Sequence, residues 1–152
     1  MLHIPKVLIM ERSVIVFSVS MDYDGDCVFY IDISRPDVKT HTYFYGNADT
    51  FKAFGKSLMA FPKDATDTVE FQAGQDGHPS SLSYLLMCAY CASPYGHTAL
   101  KVIVDNNEKM VSHSRFEFSI ASEAASINKL GSMLAGWHVE DTPQIIWKSE
   151  TR

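Results

Sequence analysis

The sequence predicts a single α+β domain: a mainly antiparallel sheet, or two half-sheets, with two helices packed on one face. Three observations predict it. Several short stretches alternate apolar and polar residues, the period of a half-buried strand. Two longer stretches repeat apolar residues at three- and four-residue steps, the period of a helix that buries one stripe. The order of three strands followed by a helix occurs twice, over halves of about 12–62 and 68–137, within one domain spanning 1–152.

The first twelve residues are ambiguous, with a short apolar stretch Val7-Leu8-Ile9-Met10. Alternation then starts: Ile15, Phe17, Val19 and Met21 fall on one side, Ser18 and Ser20 on the other. The run ends at Asp22-Tyr23-Asp24-Gly25-Asp26, a turn with a glycine where positive φ is cheap. A second strand sends Cys27, Phe29, Ile31 and Ile33 inward and Val28, Tyr30 and Asp32 outward, completing a hairpin. After the turn Ser34-Arg35-Pro36-Asp37, a third strand sets Thr42 and Phe44 against His41, Tyr43 and Tyr45. A helix over 47–61 follows, with Asn47 as N-cap, Asp49 in its first turn and Pro62 as its stop. Its buried stripe is Phe51, Phe54, Leu58 and Phe61.

The second half repeats the plan. Val69 and Phe71 mark a short strand before the loop Gly74 to Gly77, and Ser83 to Ala92 is a long apolar strand. Leu100, Val102 and Val104 alternate with Lys101, Ile103 and Asp105, and Phe116, Phe118 and Ile120 with Arg115, Glu117 and Ser119. Ser122 caps a helix over 122–137 that carries Ile127, Leu130, Leu134 and Trp137. A single offset lays the helices over one another, matching Ala48 with Ala124, Phe51 with Ile127, Gly55 with Gly131 and Phe61 with Trp137. A glycine inside a helix costs roughly 1 kcal/mol against alanine. One at the same place on both stripes implies a close approach of each helix to the sheet, and a duplicated unit. The tail triplet Ile145-Ile146-Trp147 is expected to pair or pack back onto the domain, with the last five residues loose.

Composition narrows the function. With 46% apolar and 20% charged residues the chain is expected to fold into a globule rather than stay disordered. A net charge of −5 without a basic patch argues against nucleic-acid binding and suits a basic protein partner. The apolar run Val14 to Val19 is too short to span a membrane and no signal-peptide pattern stands at the start, so a cytoplasmic protein is expected. Cys27, Cys88 and Cys91 are an odd set and make no disulfide framework.

No motif calls for catalysis. Cys88-Ala89-Tyr90-Cys91 has CxxC spacing, but inside a strand residues three apart point to opposite faces and do not grip one metal. Asp22, Asp24 and Asp26 resemble the start of a calcium loop, yet the later positions hold Cys27 and Ile33 instead of glycine and glutamate. The six histidines fall in no metal spacing. His41 and His113 head equivalent strands and are expected to face solvent. No GxSxG, P-loop or GxGxxG is present. The expectation is therefore no catalytic residue, no metal and no cofactor.

The positive signal lies on the outward face. Tyr30, Asp32, Tyr43 and Tyr45 project away from the core, expected near Arg115, and Tyr23 and Asp24 stand at the acidic hairpin tip. Tyrosine and arginine are favoured at interfaces because each joins a large apolar body to a polar tip. These seven are the candidate partner-binding residues. The competing readings are a small-ligand or enzymatic domain with a pocket between helix and sheet, and a homo-oligomer formed through strand 83–92 or the tail.

The order of elements resembles small bacterial proteins grouped with toxin immunity proteins, including the WapI-type immunity families. The resemblance rests on Tyr45-Gly46-Asn47 entering the first helix, Phe54 to Pro62 closing it, Val69-Glu70-Phe71, and Phe116-Glu117-Phe118 leading to Leu134-Ala135-Gly136-Trp137. It covers roughly residues 12–137. It implies an intracellular protein that blocks a toxin domain by binding it, without catalytic residues of its own.

Overall fold

A computed structural model describes residues 12–77 and 82–151. The stretch Val7–Met10, with His3 and His78, lies outside the described residues. Strands β1 (Val14–Met21), β2 (Cys27–Arg35) and β3 (Val38–Gly46) form an antiparallel meander. The alternation runs as expected: Ile15, Phe17, Phe29 and Ile31 are fully buried, while Tyr30 and Asp32 face out. The β1–β2 turn closes on itself. The Asp22 carboxylate accepts the N–H groups of Asp24 and Asp26 at 2.9 and 3.0 Å, and Gly25 takes φ +88°. That carboxylate is thereby committed to holding a turn.

A first helix, α1 (Lys52–Met59), follows, then β4 (Thr68–Ala73), β5 (Tyr84–Cys91), β6 (Thr98–Asp105) and β7 (Arg115–Ser122). A second helix, α2 (Ala124–Ala135), and β8 (Gln144–Lys148) complete the chain. The described strands make two four-stranded antiparallel sheets, in the orders β3-β2-β1-β8 and β4-β5-β6-β7. The connectivity repeats. Each meander leads into a helix, and the strand after that helix crosses to the other sheet, beside that sheet's first meander strand: β4 beside β5, and β8 beside β1.

The tail triplet does pack back. Trp147 lies opposite Ile15 in the β1–β8 ladder, is fully buried, and donates its indole N–H to the Ser126 carbonyl at 2.9 Å. The expectation of a loose end fails at Ser149 and Glu150. Ser149 donates its N–H to the Ser13 carbonyl at 2.9 Å, and the Glu150 carbonyl accepts from the Glu123 N–H at 2.8 Å, so this backbone seals the entry to α2.

Both helices are shorter than the sequence predicts. The Asn47 side-chain oxygen accepts the Asp49 N–H at 2.8 Å, and its own N–H donates to the Thr50 hydroxyl at 2.9 Å. Asn47 therefore closes a turn, and regular helix starts only after Phe51. Ser122 likewise ends β7 and caps nothing; its hydroxyl donates to the Glu123 carbonyl, and α2 begins after Glu123 without a side-chain cap. The apolar stripes hold all the same. Phe51, Phe54, Leu58 and Phe61, with Ile127, Leu130, Leu134 and Trp137, are buried in one core to which both sheets contribute.

The interior glycines mark a helix-to-helix contact, which corrects the expected approach of each helix to a sheet. A Cβ built on Gly131 would lie 2.6 Å from the Gly55 carbonyl oxygen and 2.7 Å from the Met59 nitrogen. One on Gly55 would lie 2.5 Å from the Ala135 nitrogen and 2.7 Å from the Gly131 oxygen. The helices cross backbone to backbone at these two residues. Asn128 fastens the same crossing by donating its carboxamide N–H groups to the Leu58 and Phe61 carbonyls at 2.8 and 2.7 Å, which satisfies the open end of α1.

Aromatic rings join the sheets around this pair. Phe51 stacks on Phe71 of β4 at 4.7 Å and meets Phe29 of β2 edge-on at 5.1 Å, with Trp137 5.7 Å from Phe29. Such pairs add roughly 0.5–1.5 kcal/mol each beyond their buried area. At the far side Arg35 of β2 donates to the Ser119 carbonyl of β7 at 2.9 Å and lies 5.2 Å above the Phe118 ring. Among the described strands β7 stands at the edge of its sheet, and that contact covers part of this edge.

Candidate functional site

The pairing registers place the outward side chains of the first sheet in four rows. From β3 across to β8, one row is Tyr43, Tyr30, Ser18 and Gln144, and the next is His41, Asp32, Val16 and Ile146. Tyr45, Val28 and Ser20 lie above them, and Lys39, Ser34, Val14 and Lys148 below. Tyr30 and Tyr43 are directly opposite, with ring centroids 6.2 Å apart, and Tyr45 meets Tyr43 edge-on at 6.3 Å. Cross-strand aromatic pairs of this kind hold one another in place. The three rings remain 46%, 45% and 66% exposed in the order Tyr30, Tyr43, Tyr45.

Above the top row stands the acidic hairpin tip. Tyr23 is 99% exposed there, and Asp24 sits beside it. Burial, then the charges of Asp22, Asp26 and Glu140, raise the pKa of the Cys27 thiol at the base of the tip. Glu140, from the loop before β8, thus lies near this core-facing thiol, a proximity that sequence reading did not reveal.

The chain satisfies few of the polar groups on this face. Gln144 donates to the Ser18 hydroxyl at 3.1 Å. Among the described residues, Asp32, Lys39, His41 and Lys148 make no ion pair, and the three tyrosine hydroxyls make no hydrogen bond.

The outer face of the second sheet is different. Lys101 pairs with Glu117 at 3.4 Å, and Arg115 reaches Asp76 at 2.7 Å, Asp105 at 3.0 Å and Glu117 at 3.5 Å. Its hydrogen bonds to Asp76 and Asp105 raise the Arg115 pKa still further above the ordinary guanidinium value. Arg115 therefore stands on the other sheet from the tyrosines, clamped among its own carboxylates. Between these charges Tyr84, Leu86 and Ile103 form a small buried cluster.

The remaining sequence candidates resolve simply. Cys88 sits with that outer cluster while Cys91 packs against the main core, so the two thiols point to opposite faces. Burial and then Glu70 raise the Cys88 pKa, which keeps it a thiol. His113 reaches the carboxylate of Asp105 at 3.0 Å, while His41 stands on β3 opposite Asp32. Among the described residues no group of three or more His, Cys, Asp or Glu side chains is placed to hold a metal ion. No described helix is long and apolar enough to cross a membrane.

One larger hollow lies elsewhere. A groove of about 930 Å³ runs between the start of α2 and the second sheet, floored by alanines such as Ala99, Ala121 and Ala125. Its polar lining is largely engaged internally. The Tyr90 and Ser119 hydroxyls share a hydrogen bond of 2.8 Å, His97 Nδ1 bonds the Ser93 hydroxyl at 2.8 Å, and the Thr98 hydroxyl donates to the Ser122 carbonyl at 2.5 Å. The small outward residues of β6 and β7 were the only sequence signal for it.

No protein-family model matches the chain, and no curated protein matches it.

Proposed function

We propose that this chain is a non-catalytic binding protein whose first sheet docks, outer face first, on a basic protein partner. The observation that supports the reading most is the contrast between the two outer faces. The second sheet's charges pair with one another, whereas the tyrosines, Asp32 and the acidic tip of the first have few partners inside the chain. Exposed, mutually braced tyrosines offer contact area at little entropic cost, and the acidic tip steers a cationic partner. The immunity-type resemblance sharpens the proposal: the partner is a toxin domain in the bacterial cytoplasm, and binding covers its active cleft.

A photo-crosslinking amino acid at Tyr45, with a control at Lys101 on the second sheet, tests this in the native cell. One discrete protein adduct from Tyr45 and none from Lys101 is expected. Equal labelling from both positions, or none from either, counts against the docking face.

The 930 Å³ groove beside α2 favours a second reading, a small-ligand or enzymatic domain. Its hydroxyls are largely engaged, and among the described residues no lysine or arginine lines it, which leaves few groups to orient a ligand, so it ranks below the first. On the shared connectivity we further propose that the βββα halves are a duplicated unit, which superposing 14–61 on 84–137 tests.

A further inference from the structure

We propose that the outer face of the first sheet holds an anchor site for one arginine side chain of a protein partner, centred on Asp32. The inference rests on the docking reading above and names the chemistry recognised there. The twisted sheet leaves a shallow hollow of about 350 Å³ between β1, β2 and β3. Val14 and Val16 line its β1 side, Asp32 and Ser34 lie across its middle on β2, and Lys39 and His41 stand on its β3 side.

Each part suits an arginine better than another guest. The two valines give an apolar bed for the methylene stem, which long cationic side chains bury while the charged head stays polar. Asp32 is an exposed carboxylate without an ion pair or hydrogen bond among the described residues. It can accept both N–H groups of a planar guanidinium, a geometry that lysine lacks. One row above, Tyr30 and Tyr43 present ring faces and edges at 6.2 Å spacing, and a guanidinium seated at Asp32 comes within reach of them.

Charge settles the orientation. Lys39 and Lys148 occupy the row below Asp32, and His41 stands directly opposite it. Above lie the tyrosines and then the hairpin tip with Asp24 and Asp26. A cation is therefore drawn to Asp32 from the side of the tip, with its head toward the tyrosines and its stem over Val16.

The test uses the full chain, isotope-labelled, titrated with N-acetyl-arginine methylamide and with the neutral isostere N-acetyl-citrulline methylamide. Backbone amide shifts are expected to centre on Val14, Val16, Tyr30 and Asp32. Both Asp32→Asn and the citrulline analogue should weaken binding by about fivefold or more, as loss of a charge-assisted bidentate pair requires. Shifts centred on Asp24 and Asp26, or equal binding of arginine and citrulline, overturn the site. Asp32→Asn is a surface change with no packing role, and an unchanged amide spectrum confirms its fold. The two claims fail separately. Arginine seated at Asp32 without any Tyr45 crosslink sinks the docking reading alone, and a Tyr45 crosslink undiminished by Asp32→Asn sinks the anchor alone.

Discussion

Gly131→Ala should destabilise the fold, although alanine is the better helix former. The new methyl would sit 2.6–2.7 Å from the Gly55 oxygen, the Leu58 Cβ and the Met59 nitrogen. Two of those three atoms are backbone and do not swing aside. Ordinary contact at about 3.4 Å or more requires the helices to part by about 0.8 Å, and a gap of that size forfeits a quarter to a half of each affected dispersion contact. Overpacking of this kind costs about 1–3 kcal/mol and occasionally more. The helical preference of alanine returns about 1 kcal/mol. Because the crossing is backbone to backbone, the upper part of the overpacking range applies, and the net loss should be about 2 kcal/mol. For a domain of this length that is a fall in melting temperature of about 4–8 °C. Urea denaturation of Gly131→Ala, Gly55→Ala and the double variant measures it. Both methyls enter the same gap, so the double variant should lose less than the two single losses together. Ser132→Ala, on the exposed side of α2, serves as the propensity control and should be neutral or slightly stabilising. A Gly131→Ala protein about 1 kcal/mol more stable than the parent would refute the close crossing.

Three further outcomes follow from particular contacts. Asn128→Ala removes two hydrogen bonds to the Leu58 and Phe61 carbonyls, so it should cost about 1–3 kcal/mol and speed amide exchange in α1 before α2; equal exchange in both helices would contradict this. Trp147→Ala should cost about 3–5 kcal/mol by denaturant titration, since the indole is fully buried and bonded to Ser126; a surface-like loss under about 0.5 kcal/mol would mean β8 is not integral. Burial raises the pKa of Asp105, but the Asn107 N–H, His113 and Arg115 outweigh it and hold the carboxyl below its ordinary value. A carboxyl lowered by folding adds stability that is fully present above its unfolded pKa of about 3.9 and disappears as pH falls through the folded one. Asp105→Asn should therefore cost about 1–3 kcal/mol near neutrality, with the gap to the parent closing below about pH 4; parallel acid limbs would exclude that role.

Much of this fold is written in local periodicity. Cys27, Phe29, Ile31 and Ile33 alternate with Val28, Tyr30 and Asp32, and a strand with one buried face has no other way to place them. The helical stripes were legible for the same reason, and so was the outward set Tyr30, Tyr43 and Tyr45. What periodicity does not encode is which surfaces meet. The equivalent glycines announced a close approach, but Gly55 and Gly131 look the same whether a helix or a sheet lies against them. Ile145-Ile146-Trp147 announced a returning segment, but its place beside β1 depends on both sheets being formed. Helix starts were misjudged because Asn47 and Ser122 have cap chemistry that a turn or a strand end uses equally well.

The candidate site was legible in part, and for a related reason. Strand alternation sorted the tyrosines and Asp32 onto one face. Arg115 was assigned to their neighbourhood, yet it lies on the other sheet, held by Asp76 and Asp105, because residue type says nothing about long-range charge pairing. The hollow beside Val14 and Val16 arises only where separate strands come side by side.

The claim that binding belongs to the first sheet's outer face is tested most directly by damaging the two candidate surfaces in parallel. Tyr43→Ala with Tyr45→Ala strips that face, and Ala121→Arg fills the groove beside α2. With the protein captured by the Tyr45 crosslink as the probe, calorimetry on each variant should show affinity reduced by about a hundredfold for the tyrosine pair, the loss of two interface anchors, and unchanged for the groove variant. Full affinity in the tyrosine variant alongside its loss in Ala121→Arg would move the function to the groove.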